Sequence, residues 1–234
     1  MDSLLTHELR VLACTPRTVA VDKPAGLLSV PGKGPYMADC AAARIRAMFP
    51  GASGPLVVHR LDMETSGVMV FALDADAQRA LSRQFESREV DKRYQALVRG
   101  AVEGEAGVIE LHQRLDVERR PLQILDDEHG KAATTRWRVL ERLNGAEIPG
   151  AGAVGAVTRI DFEPLTGRTH QLRLAAAAAK ERGGLGAPII GDTLYGPERE
   201  RATGAGRLML HATLLCVQNP DDGRPLRFES AAPF

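Results

Sequence analysis

A polar cluster runs from His59 to Gly67, with the sequence HRLDMETSG, between two apolar stretches of the chain. Polar groups placed between buried segments must find partners or a ligand. Asp62 could act as a nucleophile or as a general acid or base, and Arg60 could bind phosphate. An ordinary polar turn, in which Asp62 pairs with Arg60, accounts for the same residues. The residue types alone therefore leave a catalytic and a structural interpretation open.

A second cluster, GRTHQLR from Gly167 to Arg173, follows a predicted strand and opens a predicted helix. Free backbone N–H groups and basic side chains coincide there, and this combination attracts anions. The alternative is a solvated helix start with surface arginines. The sequence favours neither the anion-binding site nor this alternative. Tyr94, at the start of another predicted strand, is by its position more typical of packing than of catalysis.

Spacing argues against three familiar kinds of site. The six histidines never pair as HxH or HxxxH, so we expect no metal site. Gly26–Gly34 differs from a phosphate-binding loop because five residues separate Gly26 from Gly32 and no Ser or Thr follows Lys33. The Gly-x-Ser-x-Gly turn of many serine hydrolases does not occur.

Hydrophobic periodicity predicts a mixture of strands and helices rather than regular strand–helix alternation. The predicted fold class is α+β, with a mixed, mostly antiparallel central sheet flanked by helices and loops. We predict a Gly-rich hairpin loop over 144–156. The predicted strands cover 18–22, 67–73, 94–98, 108–111, 134–143 and 157–162, and the predicted helices cover 37–49, 74–87 and 170–182.

Composition narrows the class of protein. The chain has 234 residues, and 30 basic against 30 acidic residues give a formal net charge of zero. Neutrality argues against a protein that coats nucleic acid, but it allows a local basic cleft. Three cysteines without a CxxC spacing argue against a disulfide framework. Because we find no signal-peptide pattern and no apolar stretch of about 18 residues, we expect a cytoplasmic protein. The neutral total charge and the lack of an exposed apolar stripe favour a monomer.

Taken together, the motifs resemble those of the RluA-type pseudouridine synthase family. The run from His59 to Gly67 is similar to the family signature HRLDxxTSG. Further matches follow in the family's order and span about residues 18–229. They are VDKPAG at 21–26 with VPG at 30–32, KRYQALV at 92–98, GRTHQLR at 167–173, IGD at 190–192 with YG at 195–196, LMLHA at 208–212 and PLRFE at 225–229.

The resemblance implies a pseudouridine synthase fold and the isomerisation of uridine to pseudouridine in structured RNA. Asp62 would be the essential carboxylate, acting by covalent attack or by proton transfer through a glycal. Arg168 would keep Asp62 ionised and oriented. Tyr94 would stack on the target base and could assist removal of the C5 proton. Arg60 would fill the space that the flipped nucleotide leaves. The resemblance implies no cofactor.

The same motifs imply further contacts with the substrate. Leu172 matches an apolar position that walls the base pocket, and we expect His59, Thr65, His170 and Arg173 to bind substrate as well. The chain resembles the short family members that lack an S4 domain, with an N-terminal extension at 1–17 and a catalytic domain at 18–234. Such members modify a tRNA anticodon-loop uridine and a large-subunit rRNA hairpin uridine. One departure is Ala175, where family members often carry histidine.

Two alternatives remain: an inactive RNA-binding module, and a hydrolase that uses Asp62 with His59 on nucleotides. The charge pattern favours RNA. The only charged residues between Asp39 and Asp62 are Arg44, Arg46 and Arg60. From Gly167 to Lys180 the charged residues are Arg168, Arg173 and Lys180, all of them basic. We therefore expect Arg168, Arg173 and Lys180 to face no acid, and both basic patches to meet phosphates.

Overall fold

The computed structural model describes residues 8–34, 37–143, 147–148, 152–153, 155–197 and 207–234. The strands in these ranges are β1 (Arg10–Cys14), β2 (Thr18–Lys23), β3 (Ser66–Ala72), β4 (Asp91–Arg99), β5 (Ala106–Leu115), β6 (Gln123–Leu125), β7 (Lys131–Leu143), β8 (Glu147–Ile148), β9 (Gly152–Ala153), β10 (Val157–Pro164), β11 (Leu210–Gln218) and β12 (Pro225–Glu229). The α-helices are α1 (Ala41–Met48), α2 (Ala75–Glu86) and α3 (Gln171–Ala177).

The chain divides into two compact units, unit 1 (Met1–Lys92 and Ala212–Ala231) and unit 2 (Arg93–His211 and Ala232–Phe234). The domain boundaries expected from the sequence, 1–17 and 18–234, stay a prediction. Residues 1–7 of that extension lie outside the described residues. The rest of it contains β1, which the sequence analysis did not predict and which pairs antiparallel with β2.

Unit 1 is built on antiparallel strand pairs. β2 pairs with β1 and with β3, and β11 pairs with β12. Helix α2 packs its apolar residues Ala77 and Leu81 into the buried cluster that these strands share. Asp74 begins the helix, because its Oδ1 accepts the N–H groups of Asp76 and Ala77 at 2.9 Å each. This confirms the start predicted from the sequence.

Unit 2 is an antiparallel sheet in the order β4-β10-β7-β5-β6. Its core includes residues of β4, β10 and α3. Most of the predicted hairpin loop at 144–156 lies outside the described residues; β8 and β9 pair antiparallel within it. The antiparallel strand pairs and the segregated helices of the two units confirm the predicted α+β class.

The helix predicted over 170–182 is shorter than expected. Helix α3 ends at Ala177, and Ala178 and Ala179 have extended backbone, with ψ of 138° and 149°. The following segment folds back, so that the N–H of Leu185 donates to the carbonyl of Ala175, which is 1% exposed, at 2.9 Å. These tertiary bonds replace the helical ones that alanine propensity favours. None of the helices in the described ranges is long and apolar enough to cross a membrane.

Candidate active site

Asp62 lies in a tight turn between a buried residue and the start of β3. The N–H of Thr65 donates to the carbonyl of Asp62 at 3.1 Å, which closes the turn. Thr65 is buried and Asp62 is half-buried, whereas Arg60 is exposed. Unit 1 therefore brings Arg60, Asp62 and Thr65 together on one short segment, in which Arg60 and Asp62 are more accessible than Thr65.

Three consecutive carbonyl groups around Asp62 are held by hydrogen bonds. The carbonyl of Leu61 accepts from Ser29 Oγ at 2.6 Å, and that of Asp62 accepts from Thr65. The carbonyl of Met63 accepts from Lys23 Nζ at 3.1 Å and from the N–H of Gly26 at 2.8 Å. The peptide plane before Asp62 is thus held by Ser29, and the plane after it is held by the N–H of Thr65.

Lys23 is fully buried, although lysine is among the residues found least often in protein interiors. Its Nζ donates to the carbonyls of Pro24 at 2.9 Å and Leu27 at 2.7 Å, in addition to Met63. These three carbonyl acceptors replace the hydrogen bonds to water that the ammonium group loses on burial. No role was predicted for Lys23 from the sequence. The feature that could have indicated one is a lysine at the end of the apolar strand β2.

Gly67, the last residue of the HRLDMETSG motif, must be glycine for two reasons. Its φ is +115°, a region that side chains disfavour. A Cβ atom built at Gly67 would overlap the backbone carbonyl oxygen of Ala212. The close approach of these two backbones in unit 1 leaves no room for a side chain next to the turn.

His59 is held by contacts inside unit 1. Its ring stacks on Phe85 at a centroid distance of 4.6 Å, and its Nε2 accepts the N–H of Val70 at 3.1 Å. Burial, helped by the positive charge of Lys92, lowers the pKa of His59 to about 3. A neutral imidazole suits these contacts, because a protonated Nε2 could not accept the bond. Substrate binding by His59 stays a prediction.

In unit 2, Arg168 lies in a turn held by buried side chains. Its N–H donates to Gln171 Oε1 at 3.0 Å, and its Nε donates to the carbonyl of Ala132 at 3.0 Å. Gln113 Nε2 donates to the carbonyl of Thr169 at 2.8 Å. Because Nε is bound to the backbone, the guanidinium presents its two Nη groups to other acceptors.

His170 adopts a left-handed conformation, with φ of 54°, directly before α3. Its Nδ1 lies 2.8 Å from the hydroxyl oxygen of Tyr195, which also accepts the N–H of Gln123 at 2.8 Å. Tyr195 thereby connects the turn of Arg168 to the start of β6.

The expectation that Arg168, Arg173 and Lys180 face no acid is wrong for Arg173 and Lys180, and Arg44 has an acidic partner as well. Arg173 is 2% exposed and pairs with the buried Asp192, its Nη2 lying 2.7 Å from Oδ1. The other two pairs are exposed: Arg44 Nη2 lies 2.6 Å from Asp39, and Lys180 Nζ lies 2.8 Å from Glu103. Charges separated along the chain are brought together by the fold, and the burial of Arg173 is a correction to its expected contact with RNA.

The two remaining expected residues belong to unit 2. Tyr94, in β4, is half-buried and packs against the core of the unit. Leu172, in α3, is 6% exposed and belongs to the same core. Both therefore contact the apolar core of unit 2, and their contact with the target base stays a prediction. Groups of three or more potential metal ligands do not occur among the described side chains.

Residues 17–178 match the family model described as RNA pseudouridylate synthase. The dual-specificity RNA pseudouridine synthase RluA of Yersinia pestis is 41% identical over 216 residues, covering 92% of this chain and 95% of that protein. Its namesake in Haemophilus influenzae is 42% identical over 214 residues, covering 92% and 89%. The solved human RNA pseudouridylate synthase domain containing 1 aligns with a TM-score of 0.77 at 29% identity, over all of this chain and 87% of that one.

Proposed function

Since the chain belongs to the RNA pseudouridylate synthase family, we propose that it uses Asp62 to convert uridine to pseudouridine in a tRNA anticodon loop and in a large-subunit rRNA hairpin. The observation that carries the role of Asp62 is the turn in which three consecutive carbonyls are held by hydrogen bonds. A carboxylate on such a rigid segment is preorganised for reaction at one position. The names of the bacterial relatives, which state dual specificity, support the two RNA targets.

The reaction is an isomerisation, in which the bond between C1′ and N1 of uridine breaks. The base then rotates, C5 bonds to C1′ and loses its proton, and N1 gains a proton, so that no atom or electron is gained overall. Asp62 serves this reaction either by covalent attack or by proton transfer through a glycal. A carboxylate half-buried in a turn is suited to both routes.

The resemblance of the motifs to those of the family supports the other roles. We assign Arg168 to hold Asp62 in its ionised form and Tyr94 to stack on the base. We assign the exposed Arg60 to the space vacated by the flipped nucleotide and Leu172 to the wall of the base pocket. Thr65 and His170 are assigned to shaping the substrate site, since both lie in the turns that carry Asp62 and Arg168.

Tritium release from RNA that contains 5-[³H]-uridine tests the proposal, with tRNA and ribosomal RNA transcripts as substrates. We expect release from both transcripts with the wild-type chain and background release with Asp62→Asn, which preserves size and removes the charge. Asp76→Asn is the matched control, because Asp76 is an exposed carboxylate of the same unit that pairs with Arg79. Full release by Asp62→Asn would overturn the assignment, and free uracil or phosphate as product would indicate hydrolysis.

We further propose that the chain acts as a monomer in the cytoplasm. Its neutral composition and its resemblance to enzymes of tRNA and rRNA support this. Light scattering of the purified chain at two concentrations tests the monomer, and a concentration-dependent mass would contradict it. Fractionation of the cell tests the compartment.

A further inference from the structure

We propose that Ser29 is a positioning residue for Asp62, acting through the backbone of Leu61. The proposal rests on the proposed function in one respect, namely that Asp62 reacts. Ser29 lies 33 positions before Asp62 in the sequence. It belongs to the segment Gly26–Gly34, whose spacing differs from that of a phosphate-binding loop, and no role for Ser29 was predicted from the sequence.

One hydroxyl group satisfies both backbone polar groups of Leu61. Ser29 Oγ donates to the carbonyl of Leu61 at 2.6 Å and accepts the N–H of the same residue at 3.1 Å. Ser29 is 4% exposed and Leu61 is 7% exposed. Buried backbone groups need hydrogen-bond partners, and little water reaches this place. The serine hydroxyl therefore provides the hydrogen bonds that water or a neighbouring strand provides elsewhere.

This contact fixes the peptide plane that leads into Asp62. The carbonyl of Leu61 belongs to the same planar peptide group as the backbone nitrogen of Asp62. Rotation of that plane would swing the Cα–Cβ bond of Asp62 and with it the carboxylate. A displacement on the order of 1 Å can lower a rate about a hundredfold.

Ser29 is itself anchored, so that it can act as a fixed reference. The carbonyl of Ser29 accepts the N–H of Ala42, at the start of α1, at 3.2 Å. Its neighbour Leu28 accepts the N–H of Ala41 at 2.8 Å and forms a bridge with Cys40. Ser29 Oγ also lies 3.5 Å from Met69 Sδ, in the middle of β3. A continuous path of contacts thus leads from α1 through Ser29 to Asp62.

The experiment compares Ser29→Ala with Ser230→Ala. Ser230 is a matched control: it is 7% exposed, lies in the same unit, and donates one side-chain hydrogen bond, to Asp22 Oδ2 at 2.8 Å. Both variants lose a buried hydroxyl, and both are checked by their melting temperatures. Only Ser29→Ala removes contacts to the residue before Asp62.

Two measurements are made on each variant. In tritium release, we expect kcat of Ser29→Ala to fall about tenfold with KM changed less than about twofold, the rate equivalent of one lost hydrogen bond expressed at the reacting group. Ser230→Ala should keep kcat. In hydrogen–deuterium exchange without RNA, the amides of residues 61–65 should exchange about tenfold faster in Ser29→Ala alone.

The two measurements separate failure of this inference from failure of the proposed function. Absence of pseudouridine with the wild-type chain would overturn the proposed function, and the exchange data would still decide whether Ser29 holds the Asp62 turn. Unchanged exchange at 61–65 would overturn the inference. Equal kcat values for Ser29→Ala and Ser230→Ala would overturn it as well, because the contact would then be structural only.

Discussion

Arg173 and Asp192 form a bidentate ion pair in the interior of unit 2. Arg173 Nε and Nη2 donate to the two carboxylate oxygens at 2.8 and 2.7 Å, and the side chains are 2% and 0% exposed. Asp192 Oδ1 also accepts the N–H groups of Leu194 and Tyr195. The pair therefore joins α3, directly after the turn of Arg168, to the turn that carries Tyr195.

Arg173→Met should destabilise the protein by about 3–5 kcal/mol, because it leaves the carboxylate of Asp192 buried without its partner. Urea unfolding at neutral pH measures the free energy of unfolding. Arg182→Met is the matched control, since Arg182 pairs with Asp127 at 3.2 Å on the exposed surface, where about 0–1 kcal/mol is expected. An equal decrease in the free energy of unfolding in the two variants would show that the buried ion pair contributes no more to stability than the exposed one.

Lys23→Met should destabilise the protein by about 3 kcal/mol, because the carbonyls of Pro24 and Leu27 lose their ammonium donor inside unit 1. Its kcat in tritium release should also fall, since Met63 loses one of the donors that hold its carbonyl next to Asp62.

The control for this prediction is Lys180→Met. Lys180 is exposed and pairs with the exposed Glu103 at 2.8 Å, so its loss should change the free energy of unfolding by less than about 1 kcal/mol. A Lys23→Met variant with normal stability and normal kcat would contradict the account of the buried ammonium.

Acidification should weaken unit 1 through His59. Its pKa in the folded protein is about 3, whereas an unfolded chain titrates a histidine near pH 6.5. Between these values the unfolded state binds more protons than the folded state. The contribution of His59 to the free energy of unfolding is therefore complete above about pH 6.5 and decreases as the pH drops toward 3.

His59→Phe keeps the ring stack on Phe85 and removes the titration. We expect a lower stability than wild type at pH 7, because the N–H of Val70 loses its acceptor, and a smaller further loss between pH 7 and pH 4. Thermal unfolding across this range measures both. His112→Phe, at an exposed histidine of β5, should keep the wild-type slope; a wild-type slope in His59→Phe would refute the neutral buried imidazole.

Local sequence was sufficient for the fold class and for most elements. The cap at Asp74 depends on the residues directly after it, and alternating or periodic apolar residues reveal strands and helices within a few positions. The motifs at 59–67 and 167–173 likewise marked the turns that carry Asp62 and Arg168. Family membership followed from the same motifs.

Features that depend on partners distant along the chain could not be predicted from the local sequence. Helix α3 stops at Ala177 because residues 184–187 fold back onto it, against the helix propensity of alanine. Arg173 was expected to be free because its acid, Asp192, lies 19 positions away. Ser29 and Lys23 gave no sign of holding Asp62 until the fold brought them to Leu61 and Met63. Propensity and periodicity act over a few residues, so the elements and the chemical groups could be predicted from the sequence. Hydrogen bonds and ion pairs act through space, so it is the folded chain that shows which of those groups are paired, buried and fixed.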